Sequence, residues 1–269
     1  MKAKYRSLWH VKSTRIFPPP ISEVMYTYFS ELYYDVLTPQ VREIVGWLMA
    51  NHCFDGYALS GGTALSLMFG HRSVDVVEMA AKEPIDCEAI EESLAAQFPY
   101  CVHHQPKDYI HNGVSFLVGE NEVERVELRF YTAPLKYPTY TVDALRLLAE
   151  RDIAAVKMDA ITQQRHKRDF WDIYELLKCL GARRVIDAYV EAYPNGVLAA
   201  ECEKLVVDFS RADNEPNPAG CRYNDWQMIK LHIWESVLEL DASIKRYVVA
   251  RSYPEDPLVD LIRQNKVGL

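Results

Sequence analysis

A glycine pair, a hydroxyl residue and two carboxylates lie close together in this sequence, and these residue types are suited to handling phosphate. Gly61, Gly62 and Thr63 stand between a short apolar run and an apolar segment with helical spacing. Asp75 and Glu78 follow on or beside a predicted strand. Paired glycines let backbone amides approach a ligand closely, and amides at a helix N-terminus favour phosphate. An isolated turn of this kind is more often a plain strand-to-helix connection, so a functional interpretation needs a second constellation.

A lysine embedded in a small, apolar helical segment is the second unusual feature. Lys157 lies within an Ala-Ala-Val-Lys-Met stretch, where its ammonium group is partly desolvated unless it meets anions or backbone oxygens. Arg165 and Lys167 follow, and Asp169 and Asp172 share a polar face of the next predicted helix. A charge run alone is most often a solvated surface with salt bridges. The position of Lys157 favours an anionic partner instead, and a triphosphate would be suitable.

Apolar periodicity predicts the elements that must position these residues. Strands are predicted for residues 57–59, 74–79, 100–104, 114–118 and 123–131, and helices for residues 63–69 and 88–98. In the last of these strands Glu127 and Arg129 alternate with apolar residues, which places both on a polar face of the sheet. Long helical patterns begin at Asp143, and no strand is predicted after about Tyr140.

The order of these elements predicts an α+β (mixed α/β) fold, with an α/β half followed by a helical half. Three parts are predicted along the chain. Residues 1–40 form an N-terminal arm and helix, residues 41–142 form the α/β core, and residues 143–269 form the helical C-terminal region.

The composition is that of a folded protein and excludes several functional classes. The 269 residues are 49% hydrophobic and carry a net charge of −8, which argues against coating nucleic acid through bulk positive charge. The six cysteines are scattered without a CxxC pair, so neither a zinc ribbon nor a disulfide scaffold is favoured. No apolar stretch approaches the roughly 18 residues of a membrane span, so a cytoplasmic protein without a membrane partner is expected. His71 is expected to be structural, at the end of the helix that contains Thr63.

In this order, and about 95 residues apart, the two constellations resemble the AbiEii/AbiGii-type nucleotidyltransferase toxin family of type IV toxin–antitoxin systems. That family shows a pattern close to L-x-G-G-T-A-L-A-L-x-x-G-H-R-x-S-x-D-x-D. It later shows D-I-A-A-x-K-x-x-A-I and K-[KR]-D-F-x-D-[IL]-Y-x-L-L. The matching segments are Leu59 to Asp75, Asp152 to Ile161 and Lys167 to Leu177, with a downstream element at Asp208 to Pro216. The resemblance extends from about Val41 to about Val237.

The resemblance implies a minimal nucleotidyltransferase core, a small mixed sheet flanked by helices, with a helical C-terminal part closing the nucleotide cleft. The implied reaction moves a nucleotide from a nucleoside triphosphate to an acceptor such as RNA, tRNA included. Mg²⁺ or Mn²⁺ held by carboxylates would bridge the triphosphate. A cognate antitoxin as protein partner and a role in phage defence are implied as well.

The roles of single residues follow from matching positions in the family pattern. The catalytic residues implied are Asp75, Lys157, Asp169 and Asp172. The nucleotide-binding residues are Gly61, Gly62, Thr63, Arg72, Ser73, Lys157, Arg165 and Lys167. The metal ligands are Asp75 and Glu78 on one strand, and Glu127 on a neighbouring one.

The chain departs from the family pattern at the acid pair that should hold the metal. Aligned with a one-residue deletion after Arg72, Asp75 matches but the second acid position falls on Val77; without the deletion, the two positions are Val76 and Glu78. Asp75 and Glu78 would face opposite ways on a regular strand unless a bulge brought them together. A lost carboxylate weakens a divalent site severely. The alternatives to an active transferase are a degenerate family member that binds nucleotide or a partner protein without catalysis, and a purely structural α/β protein.

Overall fold

A seven-stranded mixed sheet organises the computed structural model, which describes residues 31–105, 113–222 and 225–238. The strands are β1 Tyr57–Leu59, β2 Val76–Ala81, β3 Tyr100–His104, β4 Gly113–Gly119, β5 Arg125–Thr132, β6 Tyr140–Val142 and β7 Leu145–Leu147. Their spatial order is β3-β4-β5-β2-β1-β7-β6. The pairs β2–β5 and β1–β7 are parallel, and the other neighbours are antiparallel.

Eight α-helices are described beside this sheet. They are α1 Pro39–Ala50, α2 Gly61–Phe69, α3 Cys87–Gln97, α4 Glu150–Gln163, α5 Lys167–Leu180, α6 Ala182–Ala192, α7 Ala199–Leu205 and α8 Trp226–Leu238. No helix among them has both the length and the apolar character needed to cross a membrane. The predicted mixed α/β class with a helical C-terminal part is confirmed. The first 30 residues of the predicted N-terminal arm lie outside the described residues, and the division into three parts stays a prediction.

The parallel pair β2–β5 brings the polar residues of two strands side by side. On β5, Val126, Leu128 and Phe130 are buried in the core, and Glu127 and Arg129 alternate with them as predicted. Residues paired across a parallel ladder share a face of the sheet. The register pairs residue 76 with Glu127 and residue 78 with Arg129. The polar face of β5 therefore continues onto β2.

The expectation that no strand follows Tyr140 is wrong. Strands β6 and β7 are three residues each, too short to show a period, and they pair with each other through an antiparallel hairpin. Strand β7 also joins β1 in parallel, at Leu59 and Leu147. Since α2 follows β1 and α4 follows β7, both helices begin at the same edge of the sheet. This arrangement places the glycine turn beside the helix that carries Lys157.

A buried acid at the start of α4 makes the stability of the fold depend on pH. Burial raises the pKa of Glu150 to about 6, although a hydrogen bond from Tyr140 lowers it in part. Its Oε1 has no hydrogen-bond partner among the described residues. Because the folded-state pKa lies above the unfolded one, the favourable contribution is present below pH ~4.5 and is lost as the pH rises through ~6.

We expect Glu150→Gln to raise the free energy of unfolding by ~1–2 kcal/mol at about pH 8 and by much less at about pH 4. The reason is that glutamine cannot ionise in the buried position. Urea titrations of wild type and variant at both pH values measure the effect. An equal change at the two pH values would contradict the explanation by ionisation.

Candidate functional site

The glycine turn at the start of α2 is closed by a carboxylate of this same chain. Gly61 has φ +53°, in the left-handed region, and a Cβ at this position would collide with the Glu78 carboxylate. The amide of Gly62 donates a hydrogen bond to Glu78 Oε2 at 2.5 Å. Ser60, which precedes the helix, makes no side-chain cap. Glu78 therefore serves as the acceptor at this helix N-terminus, from the neighbouring strand.

The hydroxyl of Thr63 fastens α2 to β2. Its Oγ1 donates to the carbonyl of Val76 and accepts from the amide of Glu78, both at 2.9 Å, and the residue is 1% exposed. Both hydrogen-bonding capacities are thus used inside the protein. Thr63 holds the segment that carries Glu78, and Gly61 and Gly62 are likewise buried.

Asp172 is the centre of a buried charged cluster, which we call the Asp172 cluster and which consists of His71, Arg72, Lys157, Asp169 and Asp172. The side chain of Asp172 is 0% exposed. Arg72 binds it with two donors, Nε to Oδ1 and Nη2 to Oδ2, each at 2.9 Å. His71 Nε2 lies 2.7 Å from Oδ1, and Lys157 Nζ lies 2.8 Å from Oδ2. Such a bidentate, charge-assisted arrangement fixes the planar groups rigidly.

Three elements bring this cluster together. His71 and Arg72 follow Gly70, which ends α2 with φ +62°. Lys157 lies in the middle of α4, and its ammonium group also contacts Asp169 Oδ1 at 3.1 Å. The two aspartates lie one turn apart in the first half of α5 and share a face, as their spacing predicts. The sequence prediction that Lys157 meets anions is met here by Asp169 and Asp172.

The charges in the cluster hold one another in the ionised state. Burial alone raises the pKa of the Asp172 carboxyl, but Arg72 and Lys157 outweigh it and hold the pKa well below its usual value. Burial alone lowers the pKa of Lys157, and Asp172, Glu78 and Asp169 together raise it above the ordinary lysine value. Asp172, Lys157 and Arg72 are therefore charged throughout the physiological pH range.

A second group of charges lies beside Glu78 on the polar face of β2 and β5. Arg129 Nε donates to Glu127 Oε1 at 2.6 Å, and Arg129 is in register with the half-buried Glu78. Burial alone raises the pKa of Glu78, but Lys157, Arg129 and Arg72 outweigh it and lower the pKa. The three basic groups therefore outweigh both burial and the negative charge of Asp172 in their effect on Glu78.

The three predicted metal ligands do not form a metal site. Asp75 is exposed and precedes β2, Glu127 is bound to Arg129, and Glu78 faces the basic groups just described. Among the residues that the structure describes, no group of three His, Cys, Asp or Glu side chains could hold a metal ion. The structure does not bring Asp75 to the face of β2 that carries Glu78, because Asp75 precedes the strand and Val76 is the residue paired with Glu127. These residues do not fit a divalent cation, which needs several free oxygen ligands.

Ser73 and Asp75 lie outside the Asp172 cluster, at a cleft of about 320 Å³. Arg72 belongs to both the cluster and the cleft lining, which also includes residues 215–219. The amide of Ser73 donates to the carbonyl of Ala219 at 3.0 Å. Small-molecule pockets typically begin at about 300 Å³. The cleft is therefore large enough for part of a nucleotide and leads to Arg72.

Two of the predicted nucleotide-binding residues are placed elsewhere. Arg165 lies 3.9 Å from Asp208 Oδ2 in an ion pair, and Lys167 binds the carbonyl of Glu215 and lies over the ring of Trp226. Both residues hold the segment after α7 against the start of α5. Within the part of the chain that the structure describes, no hydrogen bond or ion pair joins either of them to Lys157 or Asp172.

His71 and Arg129 have positions at the site that the sequence does not predict. His71 is predicted to be structural, and its Nε2 lies 2.7 Å from Asp172 Oδ1; the Gly-His-Arg run of the family pattern was the available signal for this contact. Arg129 was placed on the polar face but was given no role. Its position beside Glu78 depends on the pairing of β2 with β5, which no local pattern specifies.

We expect Gly62→Ala to lower the free energy of unfolding by about 1–3 kcal/mol. The added Cβ would collide with the Arg72 guanidinium group, which Asp172 holds in place, and would lie 3.2 Å from Asp172 Oδ2. Gly56→Ala is the matched control, because a Cβ there meets nothing within 4 Å. Chemical denaturation of both variants measures the difference, and equal stabilities would show that Arg72 is free to move away.

Comparisons with known proteins give matches among solved structures only. No protein-family model matches the chain, and no curated protein matches it. JHP933 from Helicobacter pylori is 14% identical, with a TM-score of 0.47 over 76% of this chain and 92% of that one. An H. pylori protein with a provisional nucleotidyltransferase assignment is 15% identical, with a TM-score of 0.48 over 76% of this chain and 95% of the other. MenT4, a nucleotidyltransferase toxin from Mycobacterium tuberculosis, is 14% identical, with a TM-score of 0.42 over 76% and 82%.

Proposed function

We propose that this chain has a nucleotidyltransferase-type function and binds the triphosphate of a nucleotide between the start of α2 and Lys157. The observation that carries the proposal is the position of three basic side chains around the glycine turn and Glu78. Arg72 lies beside Gly62, Lys157 shares Asp172 with Arg72, and Arg129 is the register partner of Glu78. Residues from four elements meet at this point. Basic side chains together with a helix N-terminal amide are the groups that bind phosphate oxygens.

The cleft beside Arg72 supports the placement of the rest of the nucleotide. Its lining combines Arg72, Ser73 and Asp75 with the polar and proline-rich residues 215–219. If the phosphate chain binds at the basic groups, the nucleoside would lie in this cleft. Lys157 and Arg72 would neutralise phosphate charge, and Asp169 and Asp172 would keep both basic groups oriented.

The finer assignment rests on the motifs of the AbiEii/AbiGii-type resemblance. We propose on that basis that the nucleotide is transferred to RNA, with tRNA as the first acceptor to test, and that an antitoxin protein is the cognate partner. Mg²⁺ or Mn²⁺ belongs to the same resemblance, but the carboxylates of this chain do not fit it. The basic side chains, and not a metal ion, would therefore balance the negative charge of the phosphates.

A second candidate function is nucleotide binding without transfer. The observation that favours it is that Glu78 alone supplies a carboxylate on the ligand-facing side of β2, whereas Val76 occupies the other position of the pair. Glu127 on the neighbouring strand already forms an ion pair with Arg129. A site of this kind could sense a nucleotide or present it to a partner.

A combined binding and transfer experiment separates the two candidates. The full chain is titrated calorimetrically with each of the four nucleoside triphosphates and is then incubated with each labelled triphosphate, Mg²⁺ or Mn²⁺, and total RNA. Binding followed by labelled RNA supports transfer, and binding without label supports the second candidate. If no triphosphate binds to wild type or to the Glu78 variants introduced below, the proposed function is refuted.

A further inference from the structure

We infer that Glu78 is a resident competitor of phosphate at this site, and that the site binds a triphosphate without a divalent cation. The inference rests on the proposed function and deepens it. It assigns to Glu78 a role opposite to that of a metal ligand: the carboxylate opposes nucleotide binding instead of supporting it.

The contacts of Glu78 are those that a phosphate oxygen would make. Its Oε2 accepts the amide hydrogen of Gly62 at 2.5 Å, at the N-terminus of a nine-residue helix. Arg129 is its register partner on β5, and the Arg72 guanidinium group lies beside Gly62, whose amide Glu78 binds. The Gly62 amide is bound by Glu78, and the basic side chains are paired with buried aspartates or interact with Glu78. An anion that enters here must therefore displace Glu78.

The surroundings of Glu78 disfavour a divalent cation on electrostatic grounds. Arg72, Lys157 and Arg129 are 5%, 5% and 7% exposed, so their charges are poorly screened. The position two residues before Glu78 on the same face is Val76, and its register partner Glu127 is bound to Arg129 at 2.6 Å. The other carboxylates nearby, Asp169, Asp172 and Glu127, are each paired with a basic side chain. A hard cation would therefore not find the several free oxygen ligands that it needs.

The exposure of the residues decides which of them can yield to a ligand. Asp172 is fully buried between two basic groups, whereas Glu78 is half-buried. Rotation of the Glu78 side chain toward solvent frees the Gly62 amide and unbalances the neighbouring basic charges at once. The site then presents the Gly62 amide to a triphosphate, beside basic groups that Asp172, Asp169 and Glu127 keep in place, with no cation needed as a bridge.

The test compares wild type with Glu78→Gln and Glu78→Ala, each titrated calorimetrically with the four nucleoside triphosphates and with inorganic tripolyphosphate. Every titration is done in EDTA and in Mg²⁺. Glutamine removes the charge while keeping the shape of the side chain, and alanine also removes the acceptor of the Gly62 amide hydrogen bond. Glu122→Gln, at a side chain that is 80% exposed, is the control for one lost negative charge. Circular dichroism establishes that each variant is folded.

We expect wild type to bind equally well in EDTA and in Mg²⁺, and the two Glu78 variants to bind about tenfold more tightly or better. Glu122→Gln should bind as wild type does. Binding that requires Mg²⁺, or that weakens in the Glu78 variants, would overturn the inference and leave the proposed function standing. Absence of binding in wild type and in both folded Glu78 variants would refute the proposed function itself.

Discussion

Replacing Asp172 by asparagine is expected to lower the free energy of unfolding by about 3–5 kcal/mol, among the largest effects of any single substitution in this chain. The change leaves the shape of the side chain almost unaltered but removes the buried negative charge. Arg72 and Lys157 then face each other across a neutral amide. An uncompensated buried charge costs far more than the intact pair contributes.

Urea or guanidinium titration at neutral pH measures this effect, and Asp35→Asn on the exposed surface is the matched control. The sign of its pH dependence follows from the depressed pKa of Asp172. Because the folded-state pKa lies below the unfolded one, the stabilisation is present above about pH 4 and is lost as the pH falls through the folded-state pKa. A variant as stable as wild type at neutral pH would show that the cluster is dispensable.

Replacing Lys157 by methionine is expected to weaken triphosphate binding by about 100-fold and to lower the free energy of unfolding by about 2–3 kcal/mol. The methionine keeps most of the apolar stem but leaves Asp169 without its ammonium partner. Asp172 retains Arg72 and His71, so the stability loss is smaller than for Asp172→Asn. Calorimetry with the nucleoside triphosphates gives the affinity, and denaturation gives the stability.

The double variant Lys157→Met with Asp169→Asn separates these two effects. Removing the orphaned carboxylate should restore about 1 kcal/mol of stability, because residues in contact are energetically coupled. It should not restore nucleotide affinity. Lys204→Ala, an exposed lysine paired with Glu201 on α7, controls for the loss of one positive charge. Full affinity in the Lys157 variant would remove this residue from the proposed site.

Much of the sheet could be predicted from the sequence, because apolar and polar residues alternate along its longer strands. The predicted strands 57–59 and 100–104 agree with β1 and β3, and the alternation around Glu127 locates β5 to within two residues. Strands β6 and β7 were missed because three residues cannot display a period. They are identified only by their partners, since Leu147 is held against Leu59 and Arg146 donates to the carbonyls of Tyr57, Met49 and Phe54.

The sequence predicted that Lys157 lies near Asp169 and Asp172, but it did not predict which side chains pair at the site. The embedding of Lys157 indicated an anionic partner, and the structure supplies one in Asp172. The two possible registers of the acid pair could not be separated from sequence, because the first residue of β2 was unknown. With β2 beginning at Val76, the positions on the polar face are Val76 and Glu78, and Asp75 falls outside the strand. The roles of Arg129 and His71 depend on long-range pairing, which no local pattern contains.

The link between Asp172 and Arg72 has a consequence for how the chain unfolds. These residues are 100 positions apart, and the same buried carboxylate joins the end of α2 to α4 and α5. Neither the sheet nor the helices after it can open without exposing these charges. Both predicted halves should therefore melt as one cooperative unit, with coincident transitions by fluorescence and circular dichroism. The Asp172 cluster thus forms only when residues on both sides of position 143 have folded.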